Sequence, residues 1–122
     1  MLVATVRRVA QAVLVMLSGC APARQYEWNN YDASLYQYYK APNSAEGFRT
    51  SMDAHLKDLE SRKQRPAPGL YAELGTLYLE SGDRLTAALY YRKERDAWPE
   101  SRHLMDAMLA SLDKMKKGAD PK

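Results

Sequence analysis

The chain has 122 residues, of which 46% are hydrophobic and 27% are charged, a composition that fits one globular domain. Its single cysteine excludes a disulfide framework and any zinc or iron–sulfur site with several cysteine ligands. The formal charge of +3 is mildly basic, but the N-terminal residues determine how it should be interpreted.

The first predicted element in chain order is an export signal over residues 1–19. Arg7 and Arg8 give it a positive head without any acid, and a mostly apolar run follows from Val9 to Leu17. This run is too short to span a bilayer and is typical of a secretory signal peptide. The arginine pair also suggests twin-arginine export, but the residues after it fit that motif poorly, so the general secretory route is favoured.

A lipid-attachment site follows at once, because Leu17-Ser18-Gly19-Cys20 resembles the bacterial lipobox. The resemblance implies that the thiol of Cys20 receives diacylglycerol, that cleavage frees Cys20, and that its amine is then acylated. The alternative is an ordinary buried cysteine near an uncleaved helix, which the agreement of head, apolar run and motif disfavours. We expect the covalent lipid on Cys20 to be the only attached group, without any other cofactor.

Removal of residues 1–19 leaves 16 basic and 15 acidic residues, so the mature chain is nearly neutral and nucleic-acid binding loses its main support. The residue after the anchor is Ala21 and not aspartate, which is similar to lipoproteins sorted to the outer membrane. We therefore expect a protein anchored there on the periplasmic side. Residues 20–25 form the anchor and tether, and the five residues after Cys20 reach at most ~18 Å.

Apolar residues repeat at helical spacing from residue 26 to residue 117, which predicts an all-α domain of about five helices. Segments rich in proline and glycine separate the helices, and a flexible tail is expected over residues 118–122. The residues predicted to face the core are Tyr31, Leu35, Tyr38 and Tyr39, then Phe48, Met52, Leu56 and Leu59, then Leu70, Leu74, Leu77 and Tyr78, and finally Met105, Met108, Leu112 and Met115.

Two helix starts carry polar side chains that can accept hydrogen bonds from free backbone N–H groups. Asn43 or Ser44 is predicted to cap the second helix, with Glu46 completing a capping box from Asn43. Ser101 is predicted to cap the fifth helix.

The third and fourth predicted helices match a tetratricopeptide repeat, with a period of 34 residues over 68–101. Small residues at Gly75 and Ala87 would let two antiparallel helices approach closely, and Gly82 would supply the turn between them. Glu94 departs from the pattern, because a small residue is usual there. The residues that define the repeat are Tyr71, Leu74, Gly75, Tyr78, Gly82, Ala87, Tyr91 and Pro99.

The repeat pattern extends weakly in both directions. Ala54 and Pro66 keep the spacing of Ala87 and Pro99, which indicates a degenerate preceding repeat. A shift of 34 residues from the third helix gives apolar residues again, so the fifth helix is expected to be a terminal capping helix. The shifted positions are Met105, Met108 and Leu112.

Several runs in the mature chain are unusual, namely YEWNNYD at 26–32, LYQYYK at 35–40, PGLYAELG at 68–75 and WPES at 98–101. They resemble a small lipoprotein family known only as domain of unknown function 4810, over nearly the whole mature chain. Members are typically encoded beside a lipoprotein similar to the curli secretion channel and another small lipoprotein. The resemblance implies an outer-membrane assembly, although the family has no established activity.

The segment of residues 26–39 holds five of the nine tyrosines and one of the two tryptophans. Such residues are enriched at protein interfaces and at membrane interfaces, so the segment fits a docking surface or contact with headgroups. The alternative is that these side chains pack in the core. We expect this for the face of the first helix that Tyr31, Leu35, Tyr38 and Tyr39 form. Tyr26, Trp28 and Tyr36 are less tied to that face and are predicted to contact a partner.

No residue set points to catalysis or to metal binding. His55 and His103 lie on different predicted helices without a useful partner, and Asp53, Asp58 and Glu60 fit a solvated face with local ion pairs. We therefore expect a non-enzymatic adaptor or assembly factor for an outer-membrane complex, without nucleic acid or small-molecule substrate. A curli-channel-like lipoprotein is the suspected partner. The alternatives are a pilotin-like chaperone that escorts one subunit and, less favoured, a cell-wall-associated accessory protein or periplasmic enzyme.

Lipidation can be tested directly by metabolic labelling with palmitate. The wild-type protein should incorporate the label, and the Cys20→Ser variant should not, because the substitution removes the acceptor thiol. Equal labelling of the two proteins would contradict the lipobox prediction.

Overall fold

The computed structural model describes residues 24–118, and over that range the chain is helical and contains no strand. The all-α prediction is therefore confirmed for this part of the chain. The predicted signal peptide, the predicted lipid-attachment site at Cys20 and residues 119–122 lie outside the described residues. The α-helices are α1 (Tyr31–Lys40), α2 (Ala45–Ser61), α3 (Leu70–Glu80), α4 (Arg84–Ala97) and α5 (Arg102–Gly118), with short 3₁₀ helices at Pro42–Ser44 and Pro99–Ser101.

Helix α5 continues to Gly118, one residue past the predicted end of the helical domain at residue 117, which is within the usual uncertainty of helix ends. Among these helices, none combines the length and apolar character needed to cross a bilayer.

Proline ends two of the helices in the same way. Ala41 and Trp98 both adopt extended backbone angles, as expected for a residue that precedes proline, and each is followed by a 3₁₀ turn that leads into the next helix. Glycine contributes to the two remaining breaks, since Gly69 directly before α3 and Gly82 between α3 and α4 have φ values of 93° and 89° that other residues adopt reluctantly. Helix α2 itself ends earlier, at Ser61, and is followed by Lys63 with a φ value of 56°. The segments rich in proline and glycine therefore separate the helices as predicted, although α2 ends four residues before Arg65.

The predicted caps at Ser44 and Ser101 are wrong. Ser44 precedes α2 but makes no capping hydrogen bond, because its hydroxyl donates to the carbonyl oxygen of Ala41 at 2.6 Å. The side chain of Glu46 is 85% exposed and lies 4.0 Å from Arg49, so it completes no capping box from Asn43. Ser101 lies in the second 3₁₀ turn, and its hydroxyl donates to Glu94. In both cases the serine hydroxyl forms a bond that competes with capping.

The helices pack around two adjoining clusters of buried residues. The first joins α2 to α3 and α4, with Phe48, Met52, Leu56, Leu59, Ala67, Leu70, Tyr71, Leu74, Leu77 and Tyr90. The second joins α4 to α5, with Ala87, Tyr91, Met105 and Leu112. Tyr78 is partly buried and contacts both clusters, so the α3–α4 pair lies at the centre of the bundle.

Helices α3 and α4 cross at Gly75. An added Cβ there would lie 2.8 and 2.9 Å from two ring carbons of Tyr91 and 3.2 Å from the carbonyl oxygen of Ala87. Only glycine allows this approach. Ala87 and Tyr91 are themselves fully buried. The crossing has the contacts expected from the sequence pattern, whereas the tetratricopeptide assignment itself stays a prediction.

Two expectations outside the α3–α4 pair are wrong. Ala54 is exposed, whereas Ala87 is buried, so Ala54 does not lie at an equivalent helix crossing. Phe48 and Ser51 are residues of α2 that face α1, and the hydroxyl of Ser51 lies 3.4 Å from that of Ser34. Met115 is 46% exposed, so the buried face of α5 ends at Leu112.

The crossing generates a stability test. Gly75→Leu should lower the free energy of unfolding by about 1–3 kcal/mol or more, because the added side chain overlaps the Tyr91 ring. Gly47→Leu is the matched control, since a Cβ at Gly47 in α2 meets no atom within 4 Å. Urea denaturation followed by circular dichroism measures both. Equal stabilities for the two variants would contradict the close crossing.

Candidate functional site

The aromatic N-terminal segment packs onto the bundle through rings that meet at wide angles. Tyr26 contacts Trp98 edge-on with centroids 5.8 Å apart, and Trp28 lies 5.4 Å from Tyr31. Both Tyr26 and Trp28 are partly buried against the first cluster. Two of the three residues predicted to contact a partner are thus held by the domain itself, contrary to the expectation that they are less tied to the core face.

Polar contacts fix the backbone of the same segment. The carbonyl oxygen of Glu27 lies 3.0 Å from Nε2 of His55, and the Glu27 carboxylate accepts a hydrogen bond from Arg62 at 2.9 Å. Further along, the Tyr31 hydroxyl donates to the Glu73 carboxylate at 2.7 Å, which joins α1 to α3. His55 is therefore structural, as the sequence indicated, while His103 is exposed.

Helix α1 divides its aromatic residues between the core and the solvent. Tyr31, Leu35 and Tyr38 pack against the first cluster, and Tyr38 stacks on Phe48 with centroids 5.3 Å apart. Tyr39 was predicted to share this face but is 76% exposed. A residue eight positions after Tyr31 lies roughly 80° around the helix from it, outside the strip that contacts α2.

Tyr36 and Tyr39 together form an exposed aromatic pair on α1. Tyr36 is 62% exposed, and the ammonium of Lys40 lies 5.8 Å from its ring centroid. Of the three residues predicted to contact a partner, Tyr36 is the one that the fold leaves open. Tyr39 is the residue that sequence reasoning missed, because its spacing matched that of the core residues.

A network of carboxylates, tyrosines and lysines joins α2 to α3 and α4. Asp53 accepts hydrogen bonds from Lys57 and from the Tyr90 hydroxyl, and Glu60 accepts from Tyr71 and from Lys93 at 2.8 and 2.7 Å. The prediction that Asp53 and Glu60 lie on a solvated face of α2 is thus wrong, because both carboxylates bind residues of other helices. The sequence spacing of Asp53 and Glu60 suggested ion pairs with other residues of α2. Of the ion pairs that these two carboxylates form, only that between Asp53 and Lys57 lies within α2.

The network perturbs the pKa values of its members in opposite directions. Burial opposes ionisation of Asp53 and Glu60, but hydrogen bonds from lysine and tyrosine outweigh it and hold the pKa of each carboxyl below its usual value. Burial and the same carboxylates raise the pKa of Tyr71 and Tyr90 above the usual value. The carboxyls are therefore ionised and the phenols protonated at neutral pH, as a structural network requires.

Glu94 is fully buried where the repeat pattern expects a small residue. Its Oε1 accepts hydrogen bonds from the backbone N–H of Gly69 at 2.8 Å and from the hydroxyl of Ser101 at 2.9 Å. Within the described chain, Oε2 has no hydrogen-bond partner. Glu94 therefore joins the loop before α3 to the turn before α5, which explains how a long acidic side chain fits at this position.

Across residues 24–118 no group of three or more histidine, cysteine, aspartate or glutamate side chains could hold a metal ion. The arrangement is that of an all-helical domain with a packed aromatic segment, a polar network between helices and one open aromatic pair. The chain belongs to the family described as "Domain of unknown function (DUF4810)", whose sequence profile matches residues 25–108. A search of curated proteins found no match, and neither did a search of solved structures.

The network predicts how stability depends on pH. Because the pKa values of Asp53 and Glu60 are lower in the folded state, their contribution is complete above the unfolded value of about 4 and is lost as the pH falls through the folded value. Asp53→Asn should reduce the free energy of unfolding by about 1–3 kcal/mol at neutral pH. It should also flatten the decrease in stability toward acidic pH.

Urea denaturation at a series of pH values tests this, with Asp113→Asn as a control that removes an exposed carboxylate of α5. Loss of stability at neutral pH should be confined to Asp53→Asn. Identical pH profiles for the two variants would show that Asp53 does not stabilise the fold.

Proposed function

We propose that this protein is a lipid-anchored, non-enzymatic adaptor that assists assembly of an outer-membrane complex from the periplasmic side. The anchor is Cys20, and the expected setting comes from the lipobox resemblance, from Ala21 and from the resemblance to the DUF4810 family. The α3–α4 pair is proposed to be a tetratricopeptide-like repeat with α5 as its cap, an architecture that commonly presents binding surfaces.

The exposed aromatic pair on α1 is the observation that carries this proposal. Tyr36 and Tyr39 are 62% and 76% exposed, whereas the neighbouring Tyr31, Leu35 and Tyr38 pack against the core. Tyrosine supplies a large contact area with a polar tip and is enriched where partner binding energy is concentrated. The pair is thus the docking surface that we favour.

The suspected partner is a lipoprotein similar to the curli secretion channel, because family members are typically encoded beside one. In this proposal the adaptor stays in the finished complex and is recovered with it. The second candidate is a pilotin-like chaperone, which would bind one subunit during transport and then leave. Both roles need an anchor and a docking surface, so the persistence of the contact separates them.

A pull-down of the lipidated protein from detergent-solubilised outer membrane tests the proposal. Stoichiometric recovery of a channel-like lipoprotein supports the adaptor. Tyr36→Ala/Tyr39→Ala should weaken the affinity for it by at least about thirtyfold and so reduce its recovery, since truncation of a hot-spot residue costs at least about 2 kcal/mol. Leu85→Ala/Leu104→Ala is the matched control, because these side chains are 84% and 62% exposed on other helices.

Mislocalisation of one outer-membrane subunit after deletion of the protein, without stable recovery, would favour the chaperone. Failure to recover any outer-membrane partner, together with a normal envelope in the tyrosine variant and in Trp28→Ala, would contradict both roles.

A further inference from the structure

Helix α1 has a third face, distinct from its core face and from the exposed aromatic pair. Asn30 directly precedes the helix, and Ser34 and Gln37 follow at spacings of four and three residues, so the three side chains lie on one side of it. Each carries an uncharged group that can donate and accept hydrogen bonds. This face lines an open depression together with the first turn of α2.

The depression has a volume of about 260 Å³ and is kept open by small residues. Ala33 lines it from α1 and Gly47 from α2, and a Cβ added at Gly47 would meet no atom within 4 Å. The 3₁₀ turn at Pro42–Ser44 joins the two helices and contributes Ser44 to the lining. A smaller cavity of about 20 Å³ shares part of this lining and extends to His55. Space for a small ligand therefore remains between the two helices.

The polar groups around this space are largely unused within the protein. The Asn30 side chain makes no capping hydrogen bond to α1, although it stands at the N-cap position. Gln37 is engaged through its backbone carbonyl, which accepts from Ala41 and Ser44, and its side-chain amide is free within the described chain. Nδ1 of His55 is buried and has no hydrogen-bond partner among the same residues. Several donors and acceptors are therefore available to a ligand.

The lining excludes most classes of ligand, because it includes no lysine, arginine, aspartate or glutamate. Anionic ligands such as phosphates are held by arginine or lysine, and hard cations by carboxylates. Apolar ligands need walls that are mostly hydrophobic. Peptides are commonly recognised at sheet edges, in apolar or aromatic grooves or by arginine clusters, and the depression is none of these. Its amides and hydroxyls match a neutral ligand rich in hydroxyl groups, because a hydroxyl also donates and accepts.

We propose that the depression between α1 and α2 binds a neutral saccharide, with the side-chain amides of Asn30 and Gln37 as its main contacts. These residues are two helical turns apart, about 10 Å along the axis, which suits linked sugar rings better than a single ring. The site adds a non-protein ligand to the proposed adaptor and does not depend on that role. The source of the saccharide rests on the proposed periplasmic placement, where the N-acetylated strands of the cell wall offer acetamido groups that pair with primary amides.

Titration of the purified protein with chitotetraose, followed by ¹H–¹⁵N NMR, tests the inference. Any detergent used should have no sugar headgroup, so that it does not compete for the site. The side-chain amide resonances of Asn30 and Gln37 and the backbone resonances of residues 43–48 should shift until the site is saturated, while those of residues 102–115 should not shift. Maltotetraose should bind more weakly, because it lacks acetamido groups.

Gly47→Leu should abolish binding, because its side chain extends into the depression from α2. Ala110→Leu is the matched control, since it enlarges an exposed residue of α5. Gln37→Ala should weaken binding by about threefold to tenfold, the range for one neutral hydrogen bond. Gln64→Ala removes an exposed amide outside the depression and should leave the affinity unchanged. Circular dichroism establishes that the variants fold, and if Gly47→Leu does not, the two glutamine variants decide.

Each result bears on the inference. Absence of shifts with either saccharide, or equal affinities of the wild type and Gly47→Leu, would overturn the site. Blocked tetra-alanine that shifts the same resonances as strongly as chitotetraose would indicate recognition of a peptide backbone and also overturn it. Equal binding of the two saccharides would support the saccharide site and contradict the cell-wall source. Because no partner protein is present in the titration, its outcome is independent of the pull-down that tests the adaptor.

Discussion

The close crossing of α3 and α4 at Gly75 is the constraint on which the other contacts depend. The Tyr91 ring lies only 2.8 Å from where a Cβ of residue 75 would be, so the two helix axes are held at a separation that only glycine at this position permits. Tyr90, on the adjacent side of α4, is thereby presented to α2, where its hydroxyl reaches Asp53. On the other side, Ala87 and Tyr91 form the surface against which α5 packs. A single small residue therefore sets the positions of both neighbouring layers.

Two buried or half-buried carboxylates then connect the layers. Glu94 binds the backbone ahead of α3 and the turn ahead of α5, and Glu60 binds Tyr71 and Lys93 from two different helices. Because hydrogen bonds to charged groups contribute more than neutral ones, each of these contacts specifies the arrangement as well as stabilising it. The bundle thus combines apolar contacts, which do not depend strongly on the angle between the interacting groups, with a few hydrogen bonds, which do.

Much of the fold could be predicted from local chemistry. The breaks at Pro42, Gly69, Gly82 and Pro99 follow from the backbone preferences of those residues, and the crossing at Gly75 follows from its small size. The contacts that were missed join residues distant in sequence. Ser101 is available to cap a helix on local grounds, and only the tertiary position of Glu94 diverts its hydroxyl. Tyr39 has the spacing of a core residue, but α1 meets α2 over too narrow a strip to cover it. Partner contact was likewise predicted from local spacing along α1 and the segment before it. That spacing cannot show that Tyr26 packs on Trp98, which is distant in sequence.

The attachment of Tyr26 and Glu27 to the domain has a consequence for how a partner is met. Contacts with Trp98, His55 and Arg62 bring the chain onto the folded domain directly after Gln25. With Cys20 in the bilayer as proposed, the five residues of the tether reach at most ~18 Å, so the domain stays within a thin layer above the lipid. Tethering of this kind gives effective concentrations of the order of millimolar between neighbours in that layer. A contact too weak to detect between freely diffusing molecules is sufficient under such confinement, and specificity can then come from where the protein is held as much as from how tightly it binds.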